Sequence, residues 1–267
     1  MVIDIHTHAF HPKIAARAVA HLNAAYSLTC ACAGTAEDLL HRAGKAGIDK
    51  AVVLCAATDA AQVIPANNYA IRLHQEYGAQ GLLAFGTWHP DFADWEGQLD
   101  RLRAAGIKGL KLHPDFQGFW LNDKRLLPFL DAAQDDFVFV VHVGDARPPR
   151  QNPSCPYKMM EIIRQFPRLR VVCAHFGGYR MWEHSLKALI GKPVWIDTSS
   201  TTAFVPPEML RLMLRRHPQE YILFGSDYPL YDPAQEQERL QSMGRLSDKT
   251  LELYQNNAAK LLDIELK

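Results

Sequence analysis

Met1-Val2-Ile3-Asp4-Ile5-His6-Thr7-His8 opens the chain, and it places two histidines at the end of a short apolar run. In a β-strand, residues i and i+2 point to the same side. If residues 2–5 form a strand, His6 and His8 therefore project together from its C-terminal end. Two imidazoles directed at one point supply half of a metal site.

Seven further apolar or β-branched runs follow this one, at residues 50–56, 81–87, 106–112, 137–143, 169–174, 194–197 and 221–225. Helix-patterned stretches separate or follow them, at residues 36–46, 66–77, 94–105, 123–134, 157–165, 181–190, 206–216, 233–243 and 248–262. Strands that are continuously apolar and alternate with helices indicate a parallel sheet covered by helices. Eight such repeats without a hairpin signal favour a closed (β/α)₈ TIM barrel of the α/β class over an open doubly wound sheet. The length of 267 residues fits one such domain over residues 1–267.

Composition excludes several kinds of partner. The chain has 29 Lys+Arg and 29 Asp+Glu, so its net charge is zero, and no basic cluster predicts binding to nucleic acid or to an anionic membrane. No apolar run approaches the roughly 20 residues of a membrane helix. We expect no signal peptide, because the first strand begins at once, and we therefore expect a soluble cytoplasmic protein that acts on a small molecule.

The five cysteines suit free thiols in a reducing compartment, because their number is odd and Cys55 and Cys173 lie in predicted strands. A thiolate pair for structural zinc at Cys30 and Cys32 is the alternative. It lacks the second pair that a closed zinc site needs.

Two segments exceed a minimal barrel, residues 10–34 after the first strand and residues 145–156 after the fifth. Both follow the C-terminal ends of strands and would stand on the catalytic face of a barrel. They supply either substrate contacts or packing insertions.

Three more side chains of types that bind metals lie, like His6 and His8, at the end of an apolar run. His142, His175 and Asp227 each end another apolar run, and in a parallel barrel all these ends share one rim. Imidazoles with a carboxylate suit a divalent transition metal, zinc first, with manganese or iron as alternatives. Taken singly, a histidine at a strand end can be structural, and Asp227 can be a helix cap.

Six elements of the sequence carry a family resemblance: Asp4-Ile5-His6-Thr7-His8, Gly109-Leu110-Lys111-Leu112-His113-Pro114, Val141-His142, Ala174-His175-Phe176-Gly177-Gly178, Phe224-Gly225-Ser226-Asp227-Tyr228-Pro229 and Asn256-Asn257-Ala258-Ala259-Lys260-Leu261-Leu262. On these elements the chain resembles the amidohydrolase superfamily, and within it the amidohydrolase 2 group of metal-dependent TIM-barrel hydrolases and decarboxylases. They span nearly the whole chain in the family's order.

The resemblance implies a role for each matching residue. His6, His8, His142 and Asp227 match metal ligands, and His175 matches a histidine that binds a second metal or orients the water. Lys111 stands where binuclear relatives carry a carboxylated lysine. We expect one ion rather than two, with Lys111 as an interior cation and His113 in contact with the substrate.

The predicted reaction is hydrolysis by metal-activated water, on a small substrate that is carboxylated or cyclic. Asp227 or His175 would accept the proton, while His175 and His113 would stabilise the developing charge. Non-oxidative decarboxylation of an aromatic or unsaturated acid is the alternative on the same metal. A barrel that binds a metal or ligand without turnover is the second alternative.

Other rim residues are candidates for substrate contact. Arg147, Arg150 and Arg180 follow the fifth and sixth strands and would clamp a carboxylate, unless they are solvated loop residues. The aromatic and imidazole side chains near the rim would suit a planar substrate or pack the loops: Trp88, His89, Phe119, Trp120, Tyr179 and Tyr228. His11, His21, His41, His74, His184 and His217 receive no role, and the family resemblance makes a homodimer plausible.

Overall fold

Eight parallel strands form one sheet in the computed structural model, which describes residues 1–265. The strands are β1 Ile3–Thr7, β2 Lys50–Leu54, β3 Leu82–Thr87, β4 Gly109–Leu112, β5 Val138–Val141, β6 Arg170–Cys173, β7 Trp195–Asp197 and β8 Ile222–Leu223. Each pairs with the next in chain order. The Ile5 N–H donates to the Phe224 carbonyl at 3.0 Å, so the last strand meets the first. The predicted (β/α)₈ barrel is confirmed.

Helices follow the strands as the alternation predicted. They are α1 Pro12–Tyr26, α2 Ala36–Lys45, α3 Val63–Tyr77, α4 Trp95–Ala104, α5 Pro114–Gln117, α6 Leu126–Ala133, α7 Pro156–Gln165, α8 Ala174–Gly177, α9 Trp182–Ala188, α10 Pro207–Arg216, α11 Pro233–Gly244 and α12 Asp248–Leu261. The α8 segment is a single tight turn rather than a regular helix, because His175 and Phe176 have φ of 60° and 54°. No helix within residues 1–265 is both long and apolar enough to cross a bilayer.

The segment at residues 10–34 is not a plain loop, because most of it forms α1. His11 caps this helix by accepting the Lys13 N–H, and Ser27 ends it in the left-handed conformation. Of its residues only Ala15 is buried. The apolar positions Ile14, Ala18 and Leu22 share one face of α1, and this face lines a cavity rather than packing into the core.

The buried apolar residues form two layers. Val138, Val140 and Val172 belong to a cluster inside the barrel, together with Phe85 and Leu223. A larger cluster fills the space between the strands and the helices. Successive strand residues alternate between these layers, so the residues that continue the inner layer past each strand end point into the mouth of the barrel.

A register shift in β1 decides where the first histidine points. Asp4 pairs with Ala51 and Thr7 pairs with Val53, so two residues of β1, Ile5 and His6, oppose one residue of β2. This is a β-bulge, which re-aims a side chain near functional sites. Ile5 lies in the inner cluster, and the bulge turns His6 to the same side. The predicted pair of inward histidines is present, but the bulge as well as the alternation produces it.

Candidate metal centre and active site

A cavity of about 660 Å³ opens at the C-terminal ends of the strands. Its deep end is lined by the side chains that continue the inner layer of the barrel: His6, His8, Lys111, His113, His142, His175 and Asp227. Its outer walls come from α1, from the segment after β2 and from α3. The predicted metal and catalytic residues therefore meet in one cavity.

His6, His8 and Asp227 form one of three groups of potential metal-binding side chains within residues 1–265; the others are His6, His175 and Asp197, and His113, Asp115 and His142. Asp227 Oδ1 lies 3.6 Å from His6 Nε2 and 3.4 Å from His8 Nε2. His8 Nδ1 lies 3.0 Å from the Leu54 carbonyl, which can only accept, so this nitrogen carries the proton. His6 Nδ1 lies 2.8 Å from Asp197 Oδ2. Both Nε2 atoms then carry lone pairs that face Asp227, and that of His6 also faces the Lys111 amine. This donor set fits a divalent transition metal.

The charges of this group are those a metal site needs. Burial lowers the pKa of His6 to about 4, and the nearby Lys111 charge acts in the same direction, so the ring is neutral at pH 7. Burial alone would raise the pKa of Asp227. Its interactions with His6, His8 and His175 outweigh burial and hold the pKa of Asp227 well below its usual range. Neutral imidazole and ionised carboxylate are the ligand forms.

Left-handed backbone conformations place two of the side chains. Asp227 has φ of 63°, and its N–H donates to the His6 carbonyl at 2.8 Å. His175 lies in the tight turn after β6, where its N–H donates to Asp197 Oδ1 at 3.0 Å. Non-glycine residues with positive φ are uncommon and cluster at functional sites. Both side chains are thus directed by turns that end their strands.

His142 and His175 form a hydrogen-bonded pair beside the first group. His142 Nε2 donates to the Gly144 carbonyl at 2.8 Å, so His142 Nδ1 accepts from His175 Nε2 at 2.9 Å. His175 Nδ1 lies 3.9 Å from Asp227 Oδ2. His142 therefore contacts the group through His175, and its role as a metal ligand stays a prediction.

Lys111 is an interior cation as predicted. Its Nζ lies 3.1 Å from His6 Nε2, and the residue is almost fully buried. Burial lowers the pKa of Lys111 to about 8, against the opposing charges of Asp227 and Asp197. The amine thus lies at the metal-binding edge of His6.

Four predicted substrate contacts, Trp88, Tyr228, Arg147 and Arg180, do not line the cavity among residues 1–265. Phe85 faces the barrel interior, so Trp88, three positions further on, faces the helices and stacks on Phe129 at 4.3 Å between ring centroids. The Tyr228 hydroxyl donates to Asp38 at 2.7 Å.

The two loop arginines also contact residues outside the cavity lining. Arg147 lies beside Asp145 at 3.3 Å, and the Arg180 guanidinium covers the Phe204 ring at 4.3 Å. The cation at the cavity wall is instead Arg72 of α3.

Several residues of the site were not predicted from the sequence. Asp197 and Ser199 follow the inner alternation at the end of β7, and Ser199 Oγ lies 2.9 Å from both His6 Nδ1 and His175 Nδ1. The same strand-end rule that selected Asp227 would have found Asp197. His11 and His21, which were given no role, line the cavity because α1 forms its wall.

The Cys30–Cys32 pair does not form a zinc site. The Cys30 thiol contacts the Val19 carbonyl and the Cys32 thiol contacts the Tyr231 carbonyl, at 3.9 and 3.7 Å. Burial raises the pKa of Cys32 to about 12, which opposes the thiolate form that binds metal. All five cysteines are free thiols, as predicted.

The fold has counterparts among solved structures. A 2,6-dihydroxybenzoate decarboxylase complexed with 2,6-dihydroxybenzoate is 16% identical with a TM-score of 0.72, over 98% of this chain and 99% of that chain. A probable 2-pyrone-4,6-dicarboxylic acid hydrolase from Acinetobacter baumannii, with citric acid bound, is 15% identical with a TM-score of 0.69, over 98% and 99%. A 5-carboxyvanillate decarboxylase from Novosphingobium aromaticivorans, complexed with manganese and 4-hydroxy-3-methoxy-5-nitrobenzoic acid, is 14% identical with a TM-score of 0.69, over 99% and 96%.

At this identity the solved structures show the shared fold, and no curated protein matches the sequence. The family comparison goes further, because a model described as amidohydrolase matches residues 3–264. The strand-end histidines, the Asp227 turn and this match agree: the chain belongs to the amidohydrolase family.

Proposed function

We propose that this protein is a metal-dependent hydrolase that acts on a small substrate, carboxylated or cyclic. The observation that carries the proposal is the convergence of His6 Nε2 and His8 Nε2 on Asp227 Oδ1, at 3.6 and 3.4 Å, at the deep end of a cavity. A structural metal site is closed by its ligands, whereas a catalytic one opens into space for a substrate. The 660 Å³ cavity supplies that space.

The roles of the side chains follow from their charges. A divalent metal in this site supplies Lewis acidity, which polarises a carbonyl and acidifies water toward neutral pH. Asp227 and His175 lie on one side of the site, 3.9 Å apart. Asp227 is ionised and accepts the proton. His175 is held beside it by contacts of its Nε2 with His142 and of its Nδ1 with the Ser199 carbonyl, at 2.9 and 3.1 Å. Lys111 faces developing negative charge from another strand end.

We further propose Zn²⁺ as the metal, in one equivalent, although a relative binds manganese. Elemental mass spectrometry on protein purified without chelators tests this. About one equivalent per chain supports a mononuclear site, whereas two would favour carboxylated Lys111 as a bridge. Essentially no metal after supplementation with zinc and manganese would contradict the proposed function. A cytoplasmic homodimer stays a prediction.

The test of hydrolysis is oxygen incorporation. The hydrolysis probe is 2-pyrone-4,6-dicarboxylic acid, whose ring ester can be hydrolysed, and the decarboxylation probes are 2,6-dihydroxybenzoate and 5-carboxyvanillate. All three are offered to the metal-loaded protein in H₂¹⁸O. Hydrolysis places one ¹⁸O in the product carboxylate and is abolished by Asp227→Asn. Turnover that persists in the chelated protein would contradict the metal-dependent mechanism.

Decarboxylation is the second candidate, and Lys111 is the observation that favours it. Loss of carbon dioxide leaves a carbanion that must take a proton, and a buried ammonium of pKa about 8 at the deep end of the cavity is a suitable donor. In D₂O this reaction places one deuterium on the product carbon and no solvent oxygen in it. Lys111→Met is expected to slow this reaction more than hydrolysis.

A further inference from the structure

The ring orientation of His113 follows from the short helix that it caps. His113 Nδ1 accepts the Phe116 N–H at 3.3 Å, and Gln117 Oε1 in turn accepts the His113 N–H at 2.7 Å. This is the reciprocal arrangement of a capping box. A proton on Nδ1 would oppose the Phe116 N–H, so Nδ1 keeps its lone pair. The proton of the neutral ring is therefore on Nε2.

His113 is also held in place and held neutral. The ring stacks between Phe116 and His142, with centroid distances of 4.2 and 3.9 Å. Burial lowers the pKa of His113 well below its usual range, and the Lys111 charge adds to this. The ring thus offers one fixed donor, its Nε2–H.

The Tyr26 hydroxyl oxygen accepts the hydrogen bond that His113 Nε2–H donates. Its oxygen lies 3.4 Å from His113 Nε2, a length typical of catalytic contacts before the substrate arrives. Because His113 donates, the phenol's own proton is not used in this contact. No other hydrogen bond of the Tyr26 hydroxyl exists within residues 1–265. Tyr26 lines the cavity, so the O–H is available to a bound molecule.

Ring contacts connect Tyr26 to the proposed metal centre through Tyr179. The Tyr26 ring lies 5.9 Å from that of Tyr179, which lies 5.6 Å from the His175 ring. Burial raises the pKa of Tyr26 well above its usual range, and the nearby charge of Asp227 acts in the same direction. The phenol therefore stays protonated near neutral pH. Accepting a hydrogen bond polarises it and makes it a better donor.

We propose that the Tyr26 hydroxyl, with its oxygen held by the His113 Nε2–H, donates a hydrogen bond to the substrate oxygen on which negative charge develops. Tyr26 would then be a catalytic residue and His113 its positioning residue. The inference rests on the proposed function and holds for both reactions, since each builds charge on an oxygen near the metal. It also gives α1 a role beyond that of a cavity wall, because Tyr26 ends this helix.

The first test is kinetic, with the three acids named above as probes. Tyr26→Phe keeps the ring and removes the hydroxyl, and kcat is expected to fall about 100-fold with little change in KM. Tyr157→Phe is the matched control, because the Tyr157 hydroxyl contacts His184 at 3.2 Å on the surface, outside the cavity. His113→Ala in the Tyr26→Phe background should cost little more than Tyr26→Phe alone. Wild-type kcat in Tyr26→Phe would overturn the proposal.

The second test needs neither metal nor substrate. Long-range ¹H–¹⁵N spectra of the metal-free protein report the histidine tautomers, and His113 is expected as the Nε2–H form, with a resonance that moves in Tyr26→Phe. A proton on Nδ1, or a resonance that does not move, would overturn the proposal even if the enzyme hydrolyses a probe. If wild type turns over no probe, the proposed function fails, and this measurement alone decides for or against the Tyr26–His113 pair.

Discussion

At the scale of single residues, Asp197 fixes the orientation of His6. Its Oδ2 lies 2.8 Å from His6 Nδ1, and its Oδ1 accepts the His175 N–H at 3.0 Å. Burial alone would raise the pKa of Asp197, but interactions with His6 and His175 and hydrogen bonds from His6 and Ser199 hold it well below its usual range. The anion therefore orients the ring and makes its Nε2 more basic.

We expect Asp197→Asn to weaken metal binding about 10–100-fold, because the amide keeps the size of the side chain but not its charge. Competition with a chromophoric chelator measures the affinity. Urea unfolding of the metal-free variant separates a lost orientation of His6 from a lost fold. A metal affinity equal to that of the wild type in Asp197→Asn would show that metal binding does not depend on the Asp197 charge.

The residue scale also marks the limit of prediction from sequence. His6, His8, His175 and Asp227 were predicted to converge because each ends an apolar run, and a parallel barrel brings such ends together. The bulge at Ile5 and His6 depends on pairing with a strand more than 40 residues away, which local alternation does not encode. The positive φ of His175 arises likewise from tertiary contacts.

At the scale of elements, the strands and most helices were predictable because a buried parallel strand and an amphipathic helix each have a distinct pattern. The short α5 and α8 were not predicted, and the longest exception is α1, which has one buried residue. Its apolar positions Ile14, Ala18 and Leu22 line a cavity rather than the core. Tyr26, His11 and His21 were not recognised as cavity residues, because the sequence does not show which helix covers the barrel mouth.

Gln117 of α5 joins three elements at the cavity wall. Its Nε2 donates to the Ala57 carbonyl at 2.8 Å and to the Trp88 carbonyl at 2.6 Å, and its Oε1 accepts the His113 N–H. Gln117→Ala leaves these buried groups without partners, so we expect a loss of about 2–4 kcal/mol in the free energy of unfolding. Urea unfolding measures it. Gln80→Ala, at an exposed glutamine, should change stability by less than about 0.5 kcal/mol.

His217 connects the end of α10 to the segment before β7. Its Nε2 donates to the Val194 carbonyl at 2.9 Å, and its Nδ1 accepts the Gly191 N–H. Burial lowers the pKa of His217 to about 4 from 6.5. Between these values the unfolded chain binds more protons than the folded one, so this contribution is present above pH 6.5 and is lost as the pH falls toward 4.

We expect the free energy of unfolding to decrease by about 1–2 kcal/mol between pH 7 and pH 5 on account of His217. His217→Gln keeps a donor and an acceptor without titrating, so its decrease over this range should be smaller by that amount. Urea unfolding of both proteins at the two pH values gives the difference. Equal pH dependence would assign the acid sensitivity to the other buried histidines.

At the scale of the whole molecule, the barrel closes at its shortest strand. β8 has two residues, and the β1–β8 junction is extended past it by the Asp227 N–H to the His6 carbonyl and the His8 N–H to the Tyr228 carbonyl, at 2.8 and 2.7 Å. The proposed ligands His6, His8 and Asp227 stand on the two sides of this junction. A metal that binds all three would therefore cross-link the first strand to the last.

We expect metal to slow hydrogen exchange at the junction more than elsewhere, because local opening there must release the ion. Exchange at Ile5, His8 and Asp227 should slow at least about tenfold with saturating zinc, a change of about 1.4 kcal/mol in opening free energy. Exchange at Ala51 and Cys55, which bond to β3, should change less than about twofold. Mass spectrometry of peptides from both regions makes the comparison.

Asp227→Asn separates this effect from general stabilisation, because it removes the carboxylate ligand from one side of the junction. In this variant zinc should no longer slow exchange at Ile5 and His8. Equal slowing at the β1–β8 and β2–β3 junctions of the wild type would mean that the ion stabilises the barrel only as a whole. Unequal slowing would mean that one site both activates the substrate and closes the fold, so that loss of metal opens the active site before the barrel unfolds.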